Sequence, residues 1–277
     1  MTDSVPLLPY PQRPSDAIVW EPASRWVRGV LGTTTVVDSR SPVLVWEPGV
    51  PVPLYAFPAA DVRTDLLRPA AQPDAGHPAQ SARYDLVIAD ETIPNAAWRL
   101  SGELSDHIAF EWFQRVGRGV DHWYEEDEEI FVHPRDPHKR VDVLPSSRHV
   151  VVRVAGRVVA DSTAPSLLFE TGLPTRYYLP ADDVAFDLLE PTELSTACPY
   201  KGVATRYWSW RGDDDVPPNI AWSYPDPLAS VAGIRDLVCF YNEVVDIEVD
   251  GVAQDRPESP FSRQFSKKGQ EGESRTG

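Results

Sequence analysis

The sequence predicts a mainly β protein, two tandem copies of one small β domain with a few short helices. Three observations lead there. An ordered series of residues occurs twice along the chain. Apolar runs are short, rich in Val, Leu and aromatic residues, and broken by Gly turns, which is the pattern of strands and hairpins. Finally, 28 prolines among 277 residues disfavour long helices and long central strands. The length is itself a soft prior for two domains of about 100–200 residues each.

The repeat is clearest early in each half. Asp38-Ser39-Arg40-Ser41-Pro42-Val43-Leu44-Val45-Trp46-Glu47 answers Asp161-Ser162-Thr163-Ala164-Pro165-Ser166-Leu167-Leu168-Phe169-Glu170. Both continue through Gly and Pro to tyrosine, then to Pro-Ala-x-Asp-Val (Pro58–Val62; Pro180–Val184), and close on Asp-Leu-Leu-x-Pro (Asp65–Pro69; Asp187–Pro191). Later segments match more loosely. His107–Trp112 is set against Asn219–Tyr224, and Trp123–Glu126 against Phe240–Glu243. This divides the chain into a Pro-rich arm (1–23), a first, degenerate repeat (24–132), a linker (133–147), a second repeat (148–251) and a polar, disordered tail (252–277).

Within the second repeat, Val-rich runs flank Ala155-Gly156, which reads as a hairpin. Ser166–Glu170 and Thr175–Leu179 read as a strand pair about Gly172. Asp182 can cap a short helix that sets Val184 and Leu188 on one face until Pro191 stops it. Val203–Trp210, Ile220–Tyr224 and Leu237–Tyr241 follow as strands. Val245, Ile247 and Val249 alternate with acidic residues, as in a half-buried strand. Pro69–Ala82 reads as a loop inserted in the first copy.

The formal net charge is −16. Such a surface repels a polyanion and argues against general nucleic-acid binding, while leaving room for a local basic pocket. Two cysteines, Cys198 and Cys239, make no disulfide framework. Met1–Tyr10 lacks the pattern of a secretory signal, and no run approaches the roughly 20 apolar residues of a membrane span. A cytoplasmic protein without membrane partners is expected.

The richest chemistry lies in Cys198-Pro199-Tyr200-Lys201-Gly202. Pro199 keeps Cys198 out of helical angles and Gly202 permits a tight turn, so a thiol, a phenol and an amine share one loop. Lys201 can hold an anionic group, and Cys198 can act as a nucleophile beside an ammonium. The alternative is a plain turn with the thiol packed inward. Lysine usage bears on the choice: the chain has four lysines against twenty-two arginines, and Lys201 is the one inside a repeat. An amine is therefore chosen where arginine is the habit. Tyr207, Trp222, Tyr224 and Tyr241 sit at strand spacing and can line a ligand pocket or simply fill a core. Trp208 and Trp210 lie in the same run. Glu243 offers a carboxylate at a strand end as a candidate base.

Metal-ligand spacing is poor, with no Cys-x-x-Cys pair. His133 and His138 fall in the linker, and His149 stands at the edge of the second copy. Asp213-Asp214-Asp215 can hold a cation but reads first as a loop. No phosphate loop or dinucleotide fingerprint is present, so no cofactor is expected. The first copy has no counterpart of the Cys-Pro-Tyr-Lys-Gly loop.

One set of residues carries a family resemblance. Val159–Ser162, Tyr177–Pro180, Asp183-Val184, Cys198–Gly202, Ala221–Pro227, Phe240-Tyr241 and Val249–Gly251 together resemble the domain-of-unknown-function family 427, over the whole second copy. The first copy resembles the same domain in degenerate form. The resemblance implies a compact β domain, a metal-free relative of the β-tent folds, since the Cys pairs that hold zinc in many of those are absent. The family also carries a nucleotidyltransferase-like label, although the paired-Asp and Gly-Ser signatures of ordinary nucleotidyltransferases are missing. Three functions stay open: a module that binds or acts on a small anionic or polar metabolite in the second repeat, nucleotide chemistry as the label suggests, and a non-catalytic protein-interaction module.

Overall fold

The computed structural model describes residues 18–73, 80–213 and 215–265. These residues divide into two compact units between His138 and Lys139. Each is described by itself.

The first unit holds β1 (Val19–Pro22), β2 (Val27–Leu31), β3 (Thr34–Ser39), β4 (Val43–Trp46), β5 (Leu54–Pro58), β6 (Leu67–Pro69), β7 (Gln80–Ile88), β8 (Glu91–Leu100), β9 (His107–Phe110), β10 (His122–Glu125) and β11 (Glu128–Ile130). They form a seven-stranded sheet, β1-β4-β5-β9-β8-β7-β6, and a four-stranded sheet, β11-β10-β2-β3. A single helical turn, α1 (Phe113–Val116), follows β9. All strand pairs in both sheets are antiparallel.

The second unit holds β12 (Val141–Pro145), β13 (Val150–Val154), β14 (Arg157–Ser162), β15 (Ser166–Glu170), β16 (Arg176–Leu179), β17 (Leu189–Thr192), β18 (Thr196–Cys198), β19 (Gly202–Ala204), β20 (Arg206–Trp210), β21 (Ala221–Ser223), β22 (Asp226–Pro227), β23 (Val238–Phe240), β24 (Asp246–Val249) and β25 (Val252–Gln254). Its seven-stranded sheet runs β12-β15-β16-β23-β21-β20-β17 and its four-stranded sheet β14-β13-β24-β25. The two units thus share one topology. The second adds a small sheet, β18-β19-β22.

Period-two alternation decides what each strand buries. On β16, Tyr177 and Leu179 enter the core between the two sheets with Phe240, Val152 and Ile247. Tyr178 faces the other way, into a second cluster with Leu168, Trp222 and Cys239. The seven-stranded sheet is therefore buried on both faces, and the same holds in the first unit, where Phe57 and Phe110 lie in one cluster and Ala56, Trp98 and Ala109 in the other. The expected hairpin at Ala155-Gly156 is present, with φ of 47° and 77° at those residues, the left-handed pair that suits a two-residue turn.

The strand register corrects the later half of the repeat alignment. Trp98 pairs with Ala109 as Trp222 pairs with Cys239. Pro94-Asn95-Ala96-Ala97-Trp98 is thus the counterpart of Pro218-Asn219-Ile220-Ala221-Trp222, and Asn95 and Asn219 share positive φ, 54° and 58°. Likewise Trp123 answers Ile247, opposite Gly29 and Val152 respectively.

Other segments also differ from expectation. In place of one capped helix there are two 3-10 turns, Ala181–Asp183 and Phe186–Leu188, with no side-chain cap. Val184, extended between them, bridges to Ala160, and that pairing pulls the backbone out of helical angles. Val19–Pro22 of the arm forms β1 on the edge of the first sheet, and Val141–Pro145 of the linker forms β12 on the edge of the second. From Val252 the chain continues as β25 and a 3-10 stretch over Pro260–Phe265. Residues 1–17, 74–79, 214 and 266–277, which include parts of the expected arm, inserted loop, Asp run and tail, lie outside the described residues. No described helix is long and apolar enough to cross a membrane.

Candidate functional site

In the second unit, the face of the seven-stranded sheet away from the four-stranded sheet carries an unusual number of polar groups. Alternation on β16, β20, β21 and β23 places Tyr178, Tyr207, Trp222 and Cys239 there, with Tyr224 just beyond β21. Ala204 of β19, together with Val231 and Ile234 of a 3-10 stretch (Ala229–Ile234), packs over them. Trp208 and Trp210 point to the opposite face, into the inter-sheet core.

The Cys-Pro-Tyr-Lys-Gly loop is the tip of the β18–β19 hairpin, with Cys198 paired to Gly202. Gly202 has φ of +93°, a conformation that L side chains rarely adopt. Lys201 N–H donates to the Cys198 carbonyl at 3.3 Å, and Leu228 N–H donates to the Lys201 carbonyl at 3.1 Å. Thr196 and Tyr207 share a hydroxyl hydrogen bond of 2.5 Å, which ties the hairpin to the sheet.

Glu170, at the end of β15, is buried and receives Lys201 Nζ at 2.5 Å on one oxygen and Lys139 Nζ at 3.0 Å on the other. Burial alone would raise its carboxyl, but the two ammonium groups outweigh burial and hold it below the usual range. Burial also opposes the charge on Lys201, and the neighbouring Cys198 and Glu170 outweigh it, so that amine is held above its ordinary value. Lys139 also lies 5.4 Å from the centre of the Tyr200 ring.

At the other end of the same face, Arg176 binds Glu243 through both terminal nitrogens, at 2.6 and 2.7 Å, and donates to Asn242 at 3.2 Å. Its guanidinium lies 5.7 Å from the Trp222 ring, 5.6 Å from Tyr241 and 5.6 Å from Phe261. Ser259 donates to Glu243, and Phe265 meets Tyr241 edge-on at 4.8 Å, so Ser259–Phe265 folds back over this end. Between the two ends, Trp222 Nε1 donates to the Tyr178 hydroxyl at 3.3 Å and Trp222 packs 4.3 Å from Tyr241. Burial raises the phenols of Tyr178, Tyr207 and Tyr224 above their ordinary value and pushes the Cys239 thiol up to about 12.

The residues singled out in sequence divide accordingly. Tyr207, Trp222, Tyr224 and Tyr241 meet in one cluster. Cys198 acts electrostatically on Tyr178, Tyr207, Tyr224 and Lys201. Tyr200 instead pairs with Lys139. Glu243 is occupied by Arg176 and Ser259, which makes it a poor general base. His138 bonds Glu21 at 2.9 Å and His149 bonds Asp161 at 2.6 Å. Asp213 and Asp215 are exposed, and among the described residues no three His, Cys, Asp or Glu side chains converge as metal ligands.

Sequence reasoning missed Lys139, Glu170, Arg176 and Tyr178. Lysine rarity was a usable signal for Lys139, which was set aside as linker. Arg176 stands where the first copy has Leu54, Tyr178 where it has Ala56, Cys239 where it has Ala109 and Tyr224 where it has Leu100. Glu170 is matched by a buried Glu47. At the places of Tyr207 and Tyr241 the first copy has Arg83 and Glu111, an ion pair of 2.7 Å.

No curated protein matches the chain. A family model described as a domain of unknown function, DUF427, matches residues 19–126 and again 142–251. Each match ends in the turn before the edge strand of its unit's four-stranded sheet, β11 or β25, and the chain belongs to this DUF427 family, with two copies of its domain in tandem.

Proposed function

We propose that the second unit binds a small polar or anionic metabolite where Lys201 and Cys198 reach the surface of this face, over the buried set Tyr178, Tyr207, Trp222 and Tyr224. The observation that carries this is the contrast between the two copies. At four positions the first copy builds the same sheet with Leu54, Ala56, Leu100 and Ala109 where the second has Arg176, Tyr178, Tyr224 and Cys239, although it keeps a buried ion pair, Arg83–Glu111, where the second has Tyr207 and Tyr241. Replacing buried charged and polar groups by apolar ones is often neutral or stabilising, so the fold does not need the polar set. Its presence in one copy supports selection for recognition. Cys198, half-buried beside Lys201, belongs to the same surface as a wall or a nucleophile.

The test is a thermal-shift screen of the full chain and of Lys201→Ala against a metabolite panel that includes nucleotides. A ligand at about 100 times its dissociation constant adds roughly 2.7 kcal/mol, which is readily seen as a melting shift. A hit that disappears in Lys201→Ala is expected. A hit that survives the substitution, or a panel without hits, counts against this site.

A further inference from the structure

Three other carboxylates with buried side chains are held by arginine. Glu125 takes Arg25 and Arg135 at 2.7 and 2.9 Å, Glu111 takes Arg83 at 2.7 Å, and Glu243 takes Arg176 at 2.6 Å. Glu170 is held by two lysines instead. The chain has only four lysines, and the other two, Lys267 and Lys268, lie beyond the described residues, so both described lysines converge on one carboxylate. Chance is a poor account of that in a chain with twenty-two arginines.

The chemistry of the two cations differs. A guanidinium fork matches a carboxylate edge to edge and is used up by it, whereas an ammonium is a compact charge with three donors on a flexible stem. Glu170 takes one donor from each lysine at the distances given. Lys139 and Lys201 set two ammonium groups against the one carboxylate of Glu170, in a protein of net charge −16. The Lys139 and Lys201 side chains are 27% and 12% exposed, so the pair is reachable from solvent while largely desolvated. Partial desolvation strengthens attraction for an incoming anion.

We propose that Lys139 and Lys201, braced on Glu170, form a two-ammonium clamp for the oxyanion group of the ligand, a carboxylate or a phosphate. This deepens the proposed function and rests on it. Glu170 holds the two amines together and offsets part of their charge, and a glutamine there could still accept a hydrogen bond. The Tyr200 ring beside Lys139 forms one wall.

The experiment is calorimetric titration of the full chain with inorganic phosphate and, separately, with acetate, at ionic strength held constant with chloride. Wild type is expected to bind at least one anion, and a preference between them assigns the ligand's acid as phosphate or carboxylate. Lys139→Gln, which leaves the Lys201–Glu170 pair in place, should weaken binding at least about ten-fold. Glu170→Gln should strengthen it several-fold, because the amines no longer share a carboxylate. A purely structural ion pair makes the opposite forecast: unchanged anion binding in Lys139→Gln and a less stable Glu170→Gln with no gain in affinity. Either result, or no anion binding by wild type, overturns the clamp. A metabolite from the panel that needs Lys201 but ignores Lys139 also overturns the clamp and leaves the broader binding function standing.

Discussion

Arg176 grips Glu243 with both terminal nitrogens, and the two side chains are only 7% and 1% exposed. In the first copy the place of Arg176 is taken by Leu54. Removing one member of a buried pair leaves the other charge uncompensated and costs about 3–5 kcal/mol, whereas replacing both by apolar groups is often tolerated. Arg176→Leu alone should therefore lower stability by about that amount. Arg176→Leu combined with Glu243→Leu should recover most of it. Denaturant unfolding measures both, and a double variant no more stable than the single one would refute the argument.

The Glu170–Lys201 pair predicts a pH window. Glu170 has a folded value below its ordinary 4.5, so its contribution is present above 4.5 and is lost as pH falls through the depressed value. Lys201 has a folded value above its ordinary 10.5, so its contribution is complete below 10.5 and is lost as pH rises through the raised value. Melting temperatures of wild type and Glu170→Gln should differ most between these limits and converge on the acid side of 4.5. A gap that stays constant down to pH 2 contradicts this.

The two thiols should react very differently. Cys239 is wholly buried and its thiol is pushed up to about 12. Cys198 is half-buried on the β18–β19 hairpin. Iodoacetamide should add one group per native chain, on Cys198, and two after denaturation. Peptide mapping that finds native Cys239 modified would show the face to be more open than described.

Gly29 and Trp123 face each other across β2 and β10, while Val152 and Ile247 occupy the same places in the second copy. A Cβ on Gly29 would come within 2.8 Å of both the Trp123 ring and Val37. Gly29→Val should cost about 1–3 kcal/mol through overpacking. Combined with Trp123→Ile, it should cost less than the sum of the two single changes, with a coupling of about 0.5–3 kcal/mol in a double-mutant cycle. Strict additivity would disprove the complementary packing.

Much of the architecture was legible in residues close in sequence. The Asp-Ser…Pro series, the Pro-Ala-x-Asp-Val run and the Ala155-Gly156 turn locate matching strands and turns in the two copies, although not the 3-10 form of the Ala181–Asp183 and Phe186–Leu188 turns, because hairpins and tight turns are built from neighbours and carry local backbone demands. The aromatic cluster was half legible. Strand spacing marked Tyr207, Trp222, Tyr224 and Tyr241 as pocket or core, but it does not say which of them share a face or which opposing strand supplies Tyr178.

From its sequence alone, then, this protein determines its duplication, its mainly β class and the loop that displays Cys198 and Lys201. Tertiary structure alone decided that Lys139 reaches Glu170, that Arg176 closes on Glu243, and that Trp98 rather than Phe110 is the repeat counterpart of Trp222. The reason is that the two ion pairs, and the strand pairings that set the repeat register within each unit, join residues apart in sequence. Which side chains meet across a sheet depends on strand order and register, and a local pattern specifies a strand's faces but not its neighbours.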